Sequence, residues 1–191
     1  TIISRDSFLV YSSMYPSVIS RSISFNQSLI DISSLANSAK ISFVKSEVKN
    51  IQFDNQKIIL NNRPSIQYSK IILNCGSSTK VSKEFSKLIK EDIACTIRPF
   101  FQSYQFIKSE DAFNTKHELP FVIVGSGLGA IEITFALRKR WKHRKLILAC
   151  NPIKIPRRFL KSLENFNIEI KDDINFDYRK VLFCTGNSPH Y

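Results

Sequence analysis

Residues 120–134, Pro-Phe-Val-Ile-Val-Gly-Ser-Gly-Leu-Gly-Ala-Ile-Glu-Ile-Thr, constrain this chain more than any other stretch. Phe121, Val122, Ile123 and Val124 form a short β-branched and aromatic run that reads as a buried strand. Gly125, Ser126 and Gly127 read as a turn, and from Ile131 onward the spacing is helical. A strand, a glycine turn and a helix start predict a βα unit whose turn suits a nucleotide. Gly125 allows the tight turn, Gly127 lets the backbone approach a pyrophosphate, and Ala130 stands where glycine or alanine lets helix and sheet pack closely. Ser126, Leu128 and Gly129 complete the expected cradle, with the free N–H groups of the helix start facing the phosphates. The alternative is a glycine-rich βα connection that binds nothing.

The rest of the composition sets bounds. At 191 residues, with 43% hydrophobic and 12% aromatic content, the chain is long enough for one good core or two small ones. No apolar run approaches the length of a membrane span, and residues 1–6 lack a basic segment leading into an apolar one. A cytoplasmic location is therefore expected, with peripheral attachment to a membrane left open. Cys75, Cys95, Cys150 and Cys184 lie far apart, without zinc spacing or a C-x-x-C pair, so reduced and mostly buried thiols are expected. The formal charge of +12 invites a nucleic-acid reading, but the basic residues are scattered and no nucleic-acid motif accompanies them. No specific nucleic-acid partner is expected.

In chain order, residues 1–4 read as a strand end, 8–19 as a loop dense in Tyr, Ser and Pro, and 29–39 as a helix. A strand at 41–44 and a hairpin over 48–60 follow, then a strand at 70–73 that runs into Asn74-Cys75-Gly76. Helices are expected at 80–92 and 97–113, with Phe100, Phe101, Tyr104 and Phe106 packed in the core. The polar stretch 114–119 is the expected boundary, dividing the chain into 1–114 and 115–191. Beyond the glycine turn, a helix ends near Trp141 in a basic cluster suited to the negative end of its dipole. Strands at 146–149, 168–170 and 181–183 and a helix at 157–166 complete the pattern.

Two strands that end in similar turns, Leu73-Asn74-Cys75-Gly76-Ser77 and Phe183-Cys184-Thr185-Gly186-Asn187, bracket the turn at Gly125. This order resembles the pyridine nucleotide-disulfide oxidoreductase family, in particular its type II NADH dehydrogenase-like members, including the form fused to selenophosphate synthase. The resemblance implies an α/β, Rossmann-like fold with two dinucleotide-binding domains, incomplete here at both ends. Residues 1–114 would be a partial FAD-binding domain and 115–191 an NAD(P)-binding domain. It further implies FAD contacts near Tyr11, Ser12, Pro16, Val48, Cys75, Gly76, Gly186 and Asn187, with Glu132 as an acidic residue near flavin and nicotinamide. The implied activity is hydride transfer from NAD(P)H to flavin and on to a quinone-like acceptor.

The sequence departs from that family in four places. A glycine fingerprint for the FAD pyrophosphate would precede Thr1, and the family continues beyond Tyr191. The stretch between Ile168 and Val181 is cut to a few polar residues. The acid expected about 20 residues past the fingerprint, where it would hold the ribose hydroxyls, is replaced by Cys150-Asn151. Lys154, Arg157 and Arg158 are the candidates to meet a 2′-phosphate instead. The chain alone is expected to be inactive, and the competing reading is a non-catalytic nucleotide-binding remnant or interaction module with a broken flavin site.

Overall fold

The computed structural model describes residues 1–113 and 119–189. In order these form β1 (Ile2–Ser4), β2 (Phe8–Val10), α1 (Tyr15–Ile19), β3 (Leu29–Asp31), α2 (Ile32–Ser38), β4 (Phe43–Lys45), β5 (Val48–Gln52), β6 (Lys57–Leu60) and β7 (Ile66–Gln67). There follow β8 (Ser77–Thr79), α3 (Ser86–Lys90), β9 (Ala94–Thr96), α4 (Phe100–Ser109), β10 (Phe121–Val124), α5 (Leu128–Arg140), β11 (Leu146–Ala149), α6 (Arg157–Asn165), β12 (Ile168–Lys171), β13 (Lys180–Phe183) and β14 (Asn187–Pro189). The chain groups into two compact units, Thr1–Ser13 with Phe25–Asn74, and Met14–Ser24 with Cys75–Tyr191. The boundary expected after residue 114 falls within 114–118, outside the described residues.

The first unit is built from small sheets. β1 pairs in parallel with β4, β2 pairs antiparallel with β3, and β5, β6 and β7 form the expected hairpin with one further strand. Its buried apolar residues are Ile32, Ala36, Ile58 and Leu60. The helix expected from residue 29 starts only at Ile32, because the Asp31 carboxylate accepts the Ser34 N–H at 3.0 Å and caps it there. The strand expected at 70–73 is absent: Ile72 is 94% exposed, and no described segment offers a ladder to this stretch. A β-branched run becomes a strand only with a neighbour to share its backbone bonds.

The second unit holds a five-stranded, wholly parallel sheet in the order β12-β11-β10-β13-β9. Parallel sheets are covered on both faces, which explains why Phe121, Val122 and Ile123 and all of β11 are buried. One face presents Ala94, Val122, Ile147, Ala149, Val181 and Phe183 as a continuous apolar cluster. Val81, Phe85 and Leu88 pack on it, as do Ile174, Phe176 and Tyr178. The last three correct the expectation that the stretch between Ile168 and Val181 is merely polar: alternate apolar residues turn inward and lid the sheet. Two other expectations fail locally. The loop at 8–19 contains β2 and α1, whose first turn accommodates Pro16. Ala94-Cys95-Thr96, read as a gap between helices, is the edge strand β9, too short to announce itself without its partner β13. Phe106 is buried as expected, whereas Phe101 is 56% exposed.

The basic cluster at the end of α5 and just beyond it is partly internal wiring. Arg138 donates to the carbonyls of Trp141, Lys142, Arg144 and Asn167 at 2.8 to 3.2 Å, closing the helix C-terminus. Arg144, fully buried, meets Glu110 at 2.7 Å, and Glu110 also takes Arg179 at 2.9 Å. Asp111 receives Arg140 at 2.6 and 2.7 Å, the Trp141 indole N–H at 2.9 Å and Arg21 at 2.5 Å. Burial alone would raise the Asp111 carboxyl, but its bonds from Arg140, Trp141 and Arg21 outweigh burial and hold it below the ordinary aspartate value. A carboxyl depressed on folding contributes stability that is present above its unfolded value and lost as pH falls through the folded one. Asp111→Asn is therefore expected to lower the thermal midpoint near pH 6, with the gap to wild type closing once the pH drops below about 4. A gap of constant size across that range in thermal unfolding contradicts this assignment.

Candidate dinucleotide site at three glycine turns

β10 ends at Val124 and the chain turns at Gly125, whose φ is +148°. A side chain there has no room: a Cβ would lie 2.6 Å from the Cys184 carbonyl oxygen and 3.2 Å from the Ala130 Cβ. Gly125 donates to the Ala149 carbonyl at 3.0 Å, and Cys184 donates to Val124 at 2.8 Å, so the turn is clamped between β11 and β13. Ala130 is 1% exposed, as expected of a residue at the helix–sheet contact.

Gly127 and Gly129 differ from Gly125. Gly127 caps α5 with an ordinary extended backbone, φ −77° and ψ 163°, and makes no side-chain cap bond. A Cβ at Gly127 or at Gly129 would meet nothing within 4 Å. The fold therefore requires glycine at 125 and at neither of the other two, although glycine in a helix costs about 1 kcal/mol relative to alanine. Both face open space at the start of a 13-residue helix, where the first N–H groups have no intrahelical acceptor. Leu128 is 53% exposed, and Ser126 is half-buried.

The two flanking turns meet at the same rim. β8, which follows Gly76, pairs antiparallel with β14, which follows Gly186, setting Thr79 opposite Asn187 and Ser77 opposite Pro189. Lys80 donates to the Gly186 carbonyl at 2.7 Å, and the Thr185 hydroxyl donates to the Lys80 carbonyl. Gly76, at φ +74°, supplies the left-handed turn after the exposed Cys75. Cys184 joins this pair of turns to Gly125 through the close approach described above. Pro16, on α1, belongs to the same compact unit; Tyr11, Ser12 and Val48, all exposed, belong to the other.

Glu132 is exposed on α5. Because the helix starts at Leu128, no acidic residue lies in its first turn, so Glu132 stands beyond the reach of the dipole's first turn. It sits four residues on from Leu128, on the same exposed face. Past β11, burial pushes the Cys150 thiol up, and the Asn151 side chain accepts the Ile153 N–H at 3.0 Å, turning into its own loop. The first two residues of α6 are Arg157 and Arg158, both exposed, with no acid in that turn. Cys184, half-buried, has its thiol pushed well above the usual range by desolvation, and Cys95 is pushed up to about 11 by the same cause. Such thiols do not ionise near neutrality. Among the described residues no cluster of His, Cys, Asp or Glu is arranged for a metal, and no helix is long and apolar enough to cross a membrane.

A parallel sheet with a glycine turn between its central strand and the following helix defines a Rossmann-like dinucleotide-binding fold. The family model of the pyridine nucleotide-disulphide oxidoreductases matches residues 1–180, and the chain belongs to that family. Solved structures of similar fold include a type II NADH dehydrogenase of Plasmodium falciparum in complex with NADH, with a TM-score of 0.76 and 13% identity over 97% of this chain and 50% of that one. NADH:rubredoxin oxidoreductase from Clostridium acetobutylicum gives a TM-score of 0.72 and 19% identity over 99% of this chain and 52% of that one. A water-forming NADH oxidase from Lactobacillus brevis bound to NADH gives 0.75 and 10%, over 98% and 48%. The chain thus spans about half the length of each of these proteins. No curated protein sequence matches it.

Sequence reasoning missed Arg98. It was hidden inside an expected helix at 97–113, whereas α4 begins at Phe100 and Arg98 follows the edge strand β9. A short run ending in Ile-Arg-Pro was the signal, since a helix seldom continues through the residue before proline.

Proposed function

We propose that the chain is the NAD(P)H-binding part of an FAD-dependent oxidoreductase of the NADH dehydrogenase type, which delivers electrons to a quinone-like acceptor. The observation that carries this reading is the pair Gly127 and Gly129, glycines that the fold does not need, at an open helix N-terminus. Close approach of a pyrophosphate accounts for both. On this reading Gly125 sets the turn, the N–H groups of Gly127, Leu128 and Gly129 hold the phosphates, and Glu132 lies one turn further along the same helix face. The domain division is proposed as in the family, 1–114 toward FAD and 115–191 toward NAD(P).

The residues present suit a nicotinamide dinucleotide. For the flavin they do not suffice: the five glycines of the chain are Gly76, Gly125, Gly127, Gly129 and Gly186, so a second cradle of the Gly125 kind does not exist within the 191 residues. Of the contacts expected from the family, Pro16, Cys75, Gly76, Gly186 and Asn187 lie in one compact unit and are proposed as contacts to it; Tyr11, Ser12 and Val48 lie in the other. The flavin itself carries the redox chemistry.

Arg157 and Arg158 support a preference for NADPH. Cations in the first turn of a helix oppose its dipole, and an anion bound there reverses that penalty; a 2′-phosphate is the anion this site would meet. Calorimetric titration is expected to show NADPH bound more tightly than NADH, by about tenfold for a bond of some 1.4 kcal/mol to a charged group. In Arg157→Ala with Arg158→Ala the preference is expected to vanish while NADH affinity stays. An unchanged preference in the double variant overturns the specificity assignment, and failure of wild type to bind either nucleotide overturns the function.

A further inference from the structure

Arg98 stands immediately beyond β9, at the carboxyl edge of the parallel sheet, and is half-buried. Its Nη1 donates to the Ser77 hydroxyl at 2.6 Å, directly after the Gly76 turn, and its guanidinium lies 5.3 Å from the centroid of the Phe100 ring. Ile97, its neighbour, donates to the Phe183 carbonyl at 2.9 Å, which fixes this corner beside the Cys184 turn. Among the described residues no carboxylate pairs with Arg98, although Arg21, Arg140, Arg144 and Arg179 all have one. A partly desolvated guanidinium without a counter-ion is costly to keep and shapes the field around any ligand at the rim.

The strand order says which part of a ligand would feel that field. In a doubly wound sheet the dinucleotide straddles the central turn, with its adenosine ribose beside the end of the strand that follows the first helix. Here that strand is β11. The other half of the ligand then runs toward β13 and β9, the side of Arg98. That half carries the nicotinamide, which is neutral when reduced and a cationic pyridinium when oxidised. We propose that Arg98 discriminates between the two redox forms of the dinucleotide, disfavouring the oxidised one by like-charge repulsion and so promoting its release after hydride has left. The inference rests on the dinucleotide reading of the Gly125 turn and adds to it a residue that the turn does not contain.

Calorimetry of the 191-residue chain with NADH, NAD⁺ and ADP-ribose at one ionic strength tests it, using wild type, Arg98→Gln and Arg98→Lys. Repulsion between like charges at a partly solvated rim is expected to give a ratio of NAD⁺ to NADH dissociation constants of about tenfold in wild type. Arg98→Gln is expected to bring that ratio close to one, Arg98→Lys to preserve most of it, and ADP-ribose, which lacks the ring, to bind all three proteins alike. If Arg98 only ties the Gly76 turn in place, Arg98→Gln weakens all three ligands together and the ratio stays, which overturns the proposal. If ADP-ribose binds wild type and the ratio is the same in all three proteins, the proposal falls while the dinucleotide reading stands. If ADP-ribose and NADH both fail to bind wild type, both fall.

Discussion

Gly125→Ala is expected to destabilise the second compact unit by about 2–5 kcal/mol, the sum of backbone strain and overpacking. Two separate observations set that magnitude. At φ +148° an L-residue is strained whatever space surrounds it, and the new methyl would stand 2.6 Å from the backbone oxygen of Cys184. Relief is not available from a side chain that swings away, because the obstacle is main chain in the turn beyond β13. That turn is held by the Cys184 bond to Val124 and, through Lys80, by the strand pair β8 and β14. The variant should therefore disturb all three glycine turns at once. Chemical denaturation followed by circular dichroism measures the loss; a variant within 0.5 kcal/mol of wild type, the range of ordinary surface changes, contradicts the packing described for this turn.

Glu110→Ala is expected to cost about 3–5 kcal/mol, as for other buried ion pairs broken from one side. Glu110 is 1% exposed, and its carboxylate answers Arg144 and Arg179. Removing it strands the guanidinium of Arg144 among Phe121 and Trp141, whose rings lie 5.3 and 4.7 Å from it. Burial already lowers the Arg144 pKa, an effect that Glu110 opposes. The cost therefore arises mainly from the charge left behind, and a second substitution, Arg144→Met, is expected to recover much of it. Equal destabilisation in the single and double variants, measured by denaturant unfolding, indicates a role for Glu110 unrelated to Arg144.

What the sequence disclosed and what it withheld follow the same physics. β10, β11 and β13 are buried on both faces, so their apolar runs were legible without knowledge of their neighbours. The glycine turn was legible because its spacing states a backbone requirement. The stretch at 70–73 has an equally good run, Ile71-Ile72-Leu73, and forms no strand, since strand formation depends on a partner the local sequence does not contain. β9 is the converse case, three modest residues made a strand by β13. The basic residues around the end of α5 read as an answer to its dipole; that Arg138, Arg140 and Arg144 serve carbonyls and carboxylates elsewhere in the chain depends on contacts 29 to 34 residues apart. Arg98 is a different case, since the Pro99 that follows it marks locally where the helix cannot yet have begun.

The central claim is that the start of α5 receives a dinucleotide, and Gly127→Val tests it most directly. The fold leaves room for this side chain, since a Cβ at 127 meets nothing within 4 Å and the backbone is in a region valine adopts freely. A ligand whose pyrophosphate lies against the backbone of Gly127 does not leave that room. Calorimetric titration with NADPH and NADH, beside circular dichroism of the variant, should show a folded protein whose affinity for both nucleotides is abolished. A folded Gly127→Val protein that binds NAD(P)H as tightly as wild type would contradict the account and leave the turn as a purely structural βα connection.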